Sequence, residues 1–272
     1  MLKPRIIPVL LYKSGVLVRS TEFDYFQSTG DPITQVDRFI KWKADELIYL
    51  DISQDSLFNL QETMQVIGSI TGVNGKEKNQ HNDFISVLRD VAKHCFIPLT
   101  VGGNIRTMYD VRIRIKNGAD KVAVNSELIR RPSFITQIVN EFGSQVLVAS
   151  IDSKFKNGRW IVYSNNGMQN TNLDAVKWAK EVETLGAGEI LLNSIDRDGS
   201  GVGYDLDYIN AVSNAVKIPV IALGGVGEYS HFRSGFQAGA TALAAANVFH
   251  FREHSVIEAK KYLKSQGISV RL

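Results

Sequence analysis

Two stretches of this chain repeat one another: IPLTVGGNIRTMYDVRIRIKNGADKVAVNS, beginning at Ile97, resembles IPVIALGGVGEYSHFRSGFQAGATALAAAN, beginning at Ile218. In each, a proline precedes a Gly-Ala pair by 20 residues (Pro98 to Gly118, Pro219 to Gly239), and the copies are offset by 121 positions. An offset close to half of 272 residues predicts two equivalent half-folds made from one supersecondary unit.

Short apolar runs of strand length recur along the whole chain, at Ile6–Leu10, Leu47–Ile52, Ile97–Val101, Lys121–Val124, Val146–Ile151, Ile190–Asn193, Pro219–Leu223 and Ala242–Ala245. Runs such as LIYLDI, VLVASI and PVIAL are apolar at successive positions, as strands of a parallel sheet covered on both faces are. Amphipathic segments separate them, among them DPITQVDRFIKWKAD, LDAVKWAKEVETLGAG and DLDYINAVSNAV. Strand then helix eight times predicts an α/β fold, a (β/α)₈ TIM barrel with a duplicated half-barrel, as a single domain over residues 1–272. An open doubly wound sheet would carry a Gly-rich dinucleotide loop after an early strand, and none is present. The segment Met64–Asp83, rich in Gly, Asn and charge, is too long for an ordinary connection and is expected to be an insertion between the second and third strands.

Composition narrows the chemistry. With 31 basic and 28 acidic residues the net charge is only +3, and no basic block offers a nucleic acid a patch. No run of about 18 apolar residues could span a membrane, and the N-terminal MLKPRIIPVLLYKSG, interrupted by Pro8, reads as a first strand and not a leader. Cys95 is the single cysteine, which excludes an internal disulfide and a cysteine-rich metal site and fits a reducing, cytoplasmic location; in AKHCFIP it reads as a small buried thiol. The five histidines lack ligand spacing and no Ser, His or Cys stands in a nucleophile motif, so neither a metal nor a cofactor is expected.

Barrel chemistry belongs at the C-terminal ends of the strands. There the sequence places Gly102 and Gly103, Asn125 and Ser126, Asp198 and Gly199, Gly224 and Gly225, and Ala246 and Asn247. Small residues with free backbone N–H groups suit anions, and two GG pairs at equivalent places in a repeat predict two phosphate sites on opposite sides of one mouth. Of the carboxylates at that end (Asp51, Asp152, Asp196, Asp198), Asp152 in ASIDSK is best placed for proton transfer, at the rim of an apolar strand, while Asp51 is expected to hold loops. The opposite face carries Arg5, Glu46, Lys121 and Glu189 at or just before the starts of the first, second, fourth and sixth strands. Two cations and two anions there form either a plug or a controlled opening.

The segments RIIPVLL, ADELIYLDIS, IPLTVGGNIR, GADKVAVNS, FGSQVLVASIDSK, LDAVKWAKEVETLGAGEILLNSIDRDG, GYDL, IPVIALGG, VFHF and YLKSQGISVRL resemble the HisF family, the cyclase subunits of imidazole glycerol phosphate synthase, over essentially the whole chain outside the insertion. The resemblance implies a barrel that docks a glutaminase subunit (HisH-like) as a heterodimer at its N-terminal face. It implies that ammonia passes through the barrel and reacts at the C-terminal face with a bis-phosphorylated ribulosyl substrate. The family's ammonia gate falls on Arg5, Glu46, Lys121 and Glu189, and Asp120 and Gln145 match positions near the glutaminase.

The resemblance also exposes departures. The family's catalytic pair is an aspartate at the end of the first strand and another at the end of the fifth; Asp152 keeps the second, but Leu11 stands in place of the first. Asn104 replaces the third glycine of VGGGIR, Asn193 a threonine, Leu223 a serine, Asn247 the phosphate-site serine and Arg19 a lysine. An intact gate with an altered chemistry end resembles the HisF-like branch linked to acetamidino modification of surface-polysaccharide sugars. There the barrel and its glutaminase supply ammonia for amidation of a phosphorylated or nucleotide-activated sugar, with a separate sugar amidotransferase. The alternatives are a genuine cyclase of histidine biosynthesis and a non-catalytic scaffold that activates a glutaminase.

Overall fold

The computed structural model describes residues 3–21, 23, 25–53, 84–250 and 253–272. The expected insertion at Met64–Asp83 lies outside the described residues. Twelve strands form one sheet: β1 (Arg5–Lys13), β2 (Val16–Thr21), β3 (Tyr25–Gly30), β4 (Leu47–Asp51), β5 (Leu99–Gly102), β6 (Lys121–Val124), β7 (Leu147–Lys156), β8 (Arg159–Ser164), β9 (Gln169–Asp174), β10 (Glu189–Ser194), β11 (Val220–Leu223) and β12 (Ala242–Ala245).

The order β10-β11-β12-β1-β4-β5-β6-β7, closed by the parallel β7–β10 pair, is the eight-stranded parallel barrel that the repeat predicts. Each of the eight expected strands lies in this ring. The other four strands, absent from the expectation, are two antiparallel hairpin additions at the C-terminal end. β2 and β3 fold back on β1 through Ser14-Gly15, and β8 and β9 extend β7 through Asn157-Gly158. All four of these turn residues have positive φ, the geometry of a two-residue hairpin turn that matches strand twist.

The helices that cover the barrel are α1 (Pro32–Lys41), α2 (Phe84–His94), α3 (Met108–Lys116), α4 (Ser126–Arg130), α5 (Ser133–Phe142), α6 (Ala175–Thr184), α7 (Leu206–Ser213), α8 (Tyr229–Gln237) and α9 (Ser255–Ser265). Local chemistry starts them. Asp31 caps α1 by accepting from the Thr34 N–H, with Pro32 in the first turn, and Thr107 and Asp110 cap α3 reciprocally, each satisfying N–H groups that a helix start leaves open. Their apolar faces, such as Val36 and Phe39 of α1, are fully buried against the outer barrel surface.

A second apolar cluster fills the barrel itself: Ile7, Val9, Ile48, Ala123, Val148, Leu191, Ile221, Ala242 and Ala244. Below it, Lys260 of α9 turns inward and is 2% exposed, with its Nζ 2.8 Å from Asp45. The other Asp45 oxygen accepts from the Ile6 N–H at 2.8 Å, so one buried ion pair ties the last helix to the start of β1. Cys95, after α2, donates its thiol to the Ile97 carbonyl at 3.2 Å, and burial raises its pKa, as suits a packing thiol. No described helix is long and apolar enough to cross a membrane.

Candidate active site

At the N-terminal end the strand starts bring Arg5, Glu46, Lys121 and Glu189 into a closed ring. Arg5 reaches Glu46 at 2.7 Å and Glu189 at 3.1 Å; Lys121 reaches Glu46 at 3.3 Å and Glu189 at 2.9 Å. The four side chains are 9–16% exposed. Burial works against the Arg5 charge, but Glu189 and then Glu46 more than offset it, so its pKa is raised. Each ion thus has two opposite partners, which is what makes burying four charges tolerable. Asp120 and Gln145 lie exposed close to this end: Asp120 accepts from the Leu99 N–H at 2.8 Å, and Gln145 donates to the Phe142 carbonyl.

At the other end the barrel opens into a cavity of about 680 Å³ that reaches down to Val9, Ala123 and Leu191. Between cavity and ring, Thr100 faces the barrel interior, and its hydroxyl is buried without a hydrogen-bond partner.

Asp152, near the middle of β7, lines the cavity with its carboxylate held by two amides. Asn125 donates to its Oδ2 at 2.7 Å and Asn193 to its Oδ1 at 3.2 Å. Burial pushes the Asp152 carboxyl up from 3.8 to about 6; the two amides hold it back, and Asp198 adds a smaller push upward. Such a carboxylate can exchange protons near neutral pH. Leu11 lines the same cavity from the end of β1.

The remaining carboxylates are engaged with loops. Asp51 accepts from the Ser53 N–H at 3.0 Å and from Asn104 at 3.2 Å. Asp196 accepts from the Phe155 N–H at 2.7 Å, and Asp198 from the Ser20 hydroxyl at 2.6 Å. Asn104, in the third-glycine position, has φ +51°, a left-handed conformation that asparagine tolerates better than most residues.

The expected anion-site residues divide. Gly103, Asn125, Ser126, Asp198 and Ala246 line the cavity with Asp152. Gly199, Gly224, Gly225 and Asn247 are outside its lining; a Cβ on Gly224 would meet the Ser194 carbonyl at 2.8 Å, and one on Gly225 the Gly203 carbonyl at 2.2 Å. Tight packing acts on the first half too, since a Cβ on Gly103 would fall 1.8 Å from the Asp51 carbonyl oxygen. Of the two GG pairs, Gly103 lines the cavity, and Gly224 and Gly225 do not.

Sequence reasoning missed several lining residues: Lys13, Phe23, Phe26, Arg106, Arg130, Asn165 and Met168. It also missed Arg114, buried beneath the mouth, which donates to the Gly103 carbonyl at 2.6 Å and fixes that loop. The Asn-Gly signal at Asn157-Gly158 could have revealed the β7–β8 hairpin; Asn165 and Met168 lie in the turn that follows it, between β8 and β9.

Comparison with known proteins settles the family. The histidine biosynthesis protein family model matches residues 69–255. Imidazole glycerol phosphate synthase subunit HisF of Pyrobaculum aerophilum is 43% identical over 270 residues, 98% of each chain. The chain belongs to the HisF family. Of the residues where the resemblance implies departures, Asn193 donates to Asp152, Asn247 donates to the Ser20 carbonyl at 3.0 Å, and Arg19 is held by Gln27 across the β2–β3 hairpin.

Proposed function

We propose that this chain is the synthase-type subunit of a glutamine-dependent complex, in which a glutaminase docks at the N-terminal face of the barrel and ammonia is used at the Asp152 cavity. The observation that carries this reading is the closed four-charge ring at one barrel end, coaxial with the cavity at the other. A salt-bridged ring holds back water and ions, and neutral ammonia needs only one side chain to swing aside. Lys121 is the natural moving part, a flexible stem with a single charged end. Beyond the ring, Thr100 offers a polar stop, and small Ala123, Ala242 and Ala244 leave the axis less filled than larger residues would. At the cavity Asp152 takes the proton that ammonia sheds on attack, or returns one to a leaving group. Asn125 and Asn193 keep it oriented and favour its ionised form.

The acceptor is read as a phosphorylated or nucleotide-activated sugar that becomes amidated, as in acetamidino modification, with a separate sugar amidotransferase as a further partner. What supports this is Leu11: an apolar side chain lines the cavity where the resemblance puts the second acid–base carboxylate, and loss of such a group costs about 10²–10⁴-fold. A second reading has its own support in the full-length 43% identity to a HisF of imidazole glycerol phosphate synthase: the chain is then the cyclase of histidine biosynthesis, with Asp152 acting without a first-strand partner. Both place the reaction in the cytoplasm and in one barrel domain.

Turnover of the ribulosyl substrate with ammonium salts decides between them. The sugar reading expects none from the purified chain, with cyclase activity emerging in Leu11→Asp. Cyclisation by the unmodified chain at a rate typical of enzymes, about 1–10³ per second, establishes the histidine-pathway reading instead.

A further inference from the structure

Where the resemblance puts a carboxylate, Leu11 leaves an apolar surface, and it does so directly beneath an amine. Side chains along a strand alternate between its two faces, and Val9, Leu11 and Lys13 all line the cavity from β1, so Lys13 stands one pleat above Leu11 on the same wall. In the closed ring β1 and β7 lie opposite one another. Lys13 therefore faces the wall that carries Asp152.

The surroundings of this amine are largely apolar. Leu11, Leu50 and Leu223 line the cavity and pack on the barrel core below, and the Phe26 ring of the β2–β3 hairpin covers Nζ, its centroid 3.5 Å away. On the cavity side β1 is flanked by β4, which ends in Asp51, by β12, which is followed by Ala246, and by the hairpin, whose strands carry Arg19 as their one charged residue. Asp51 accepts from Ser53 and Asn104, and Arg19 is held by Gln27. Burial lowers the pKa of Lys13. More of its amine is uncharged near neutral pH than in an exposed lysine, and the uncharged amine is the nucleophile. An aspartate at position 11 would work the other way, holding the ammonium charged from one pleat below.

We propose that Lys13 is a covalent carbonyl site, an amine on the wall opposite Asp152 that condenses with the keto or aldehyde group of a sugar to form an imine. This deepens the reading above: it rests on the placement of the acceptor in this cavity and narrows that acceptor to a sugar presenting a carbonyl. The Lys13 nitrogen bonds to the carbonyl carbon, and the carbonyl oxygen departs as water with the two protons the nitrogen gives up. Ammonia then adds to the imine carbon and the lysine leaves as the free amine, so the acceptor ends as C=NH and Lys13 is restored. Asp152, which exchanges protons near neutral pH, holds the proton in transit between the two steps.

Acetylacetone tests the site on the full chain, without glutaminase or ammonia, so the result stands apart from the ammonia route. This diketone condenses with an uncharged amine, losing water, to give a vinylogous amide that absorbs in the near ultraviolet and is placed by peptide mass spectrometry. Near neutral pH Lys13 is expected to react faster than Lys93 and Lys261, whose side chains are 65% and 62% exposed. The expected ratio is about tenfold or more, since each pKa unit lost gives about tenfold more free amine. Leu11→Asp is expected to slow the Lys13 reaction about tenfold, while Leu11→Asn, similar in size and uncharged, stays within about twofold of the unmodified chain. Lys13 reacting no faster than the two exposed lysines, or at an unchanged rate in Leu11→Asp, overturns the proposal. A trapped Lys13 in a chain that uses no ammonia would instead refute the reading above and leave this site standing.

Discussion

Replacing Asp152 by asparagine is expected to lower ammonia-dependent product formation about 10²–10⁴-fold, the usual contribution of a positioned acid–base group, while stabilising the folded chain at neutral pH. The two effects share one cause. Burial lifts the carboxyl from 3.8 to about 6, so between those pH values the folded chain holds a proton that the unfolded chain has released. Stability contributed by this group is complete below pH 4 and falls as pH rises through about 6, by at most about 3 kcal/mol. Asparagine has no charge to desolvate, and its amide can still meet Asn125 and Asn193 after one of them turns over. The variant should therefore melt higher than the unmodified chain at pH 7.5, and the gain should vanish at pH 4. Unmodified activity should fall on acidification through about pH 6 as the carboxylate is protonated. An Asp152→Asn variant that keeps its rate and melts no higher at pH 7.5 would contradict the role given to this residue.

The largest expected effect on stability lies at the opposite end. Asp45→Ala leaves Lys260, 2% exposed, with only the Lys43 carbonyl as a partner, and strips the Ile6 N–H of its acceptor. An uncompensated buried charge costs about 3–5 kcal/mol, a large share of the roughly 5–15 kcal/mol that holds a typical domain together. Chemical denaturation should show the midpoint falling accordingly. In the double variant Asp45→Ala/Lys260→Met both charges are gone, and much of the loss should be recovered, because an apolar side chain of similar length fills the site without desolvating an ion. A single variant within about 1 kcal/mol of the unmodified chain, the range of an exposed pair, would mean that Lys260 reaches water.

Why some of this could be read from the sequence and some could not follows from the range of the interactions. The eight barrel strands are local signals: LIYLDI and VLVASI are apolar on both faces because helices cover one side and the barrel interior the other. The charge ring was also legible, since Arg5, Glu46, Lys121 and Glu189 each sit at a strand start and barrel closure brings strand starts together. The hairpins were overlooked although Ser14-Gly15 and Asn157-Gly158 mark them, because VLVRST and QNTNLD are short and do not alternate in polarity. The clamp on Asp152 joins residues 27 and 41 positions away, and the bond from Asn247 to Ser20 spans 227; nothing in local spacing announces contacts made only when the barrel closes. The repeat extends to the hairpins: one follows the first strand of each half, and Asn125 meets the Tyr163 carbonyl of one as Asn247 meets the Ser20 carbonyl of the other.

The route from ring to cavity is tested most directly by isotope competition. The complex of this chain with its glutaminase is given glutamine labelled with ¹⁵N in the side-chain amide, in the presence of a large excess of unlabelled ammonium, and the label in the aminated product is measured. Ammonia conducted through the barrel arrives without mixing, so the product is expected to carry the label in the unmodified complex and to lose it in Lys121→Ala, where the ring no longer closes. Product that carries mainly unlabelled nitrogen in the unmodified complex would contradict conduction through the barrel.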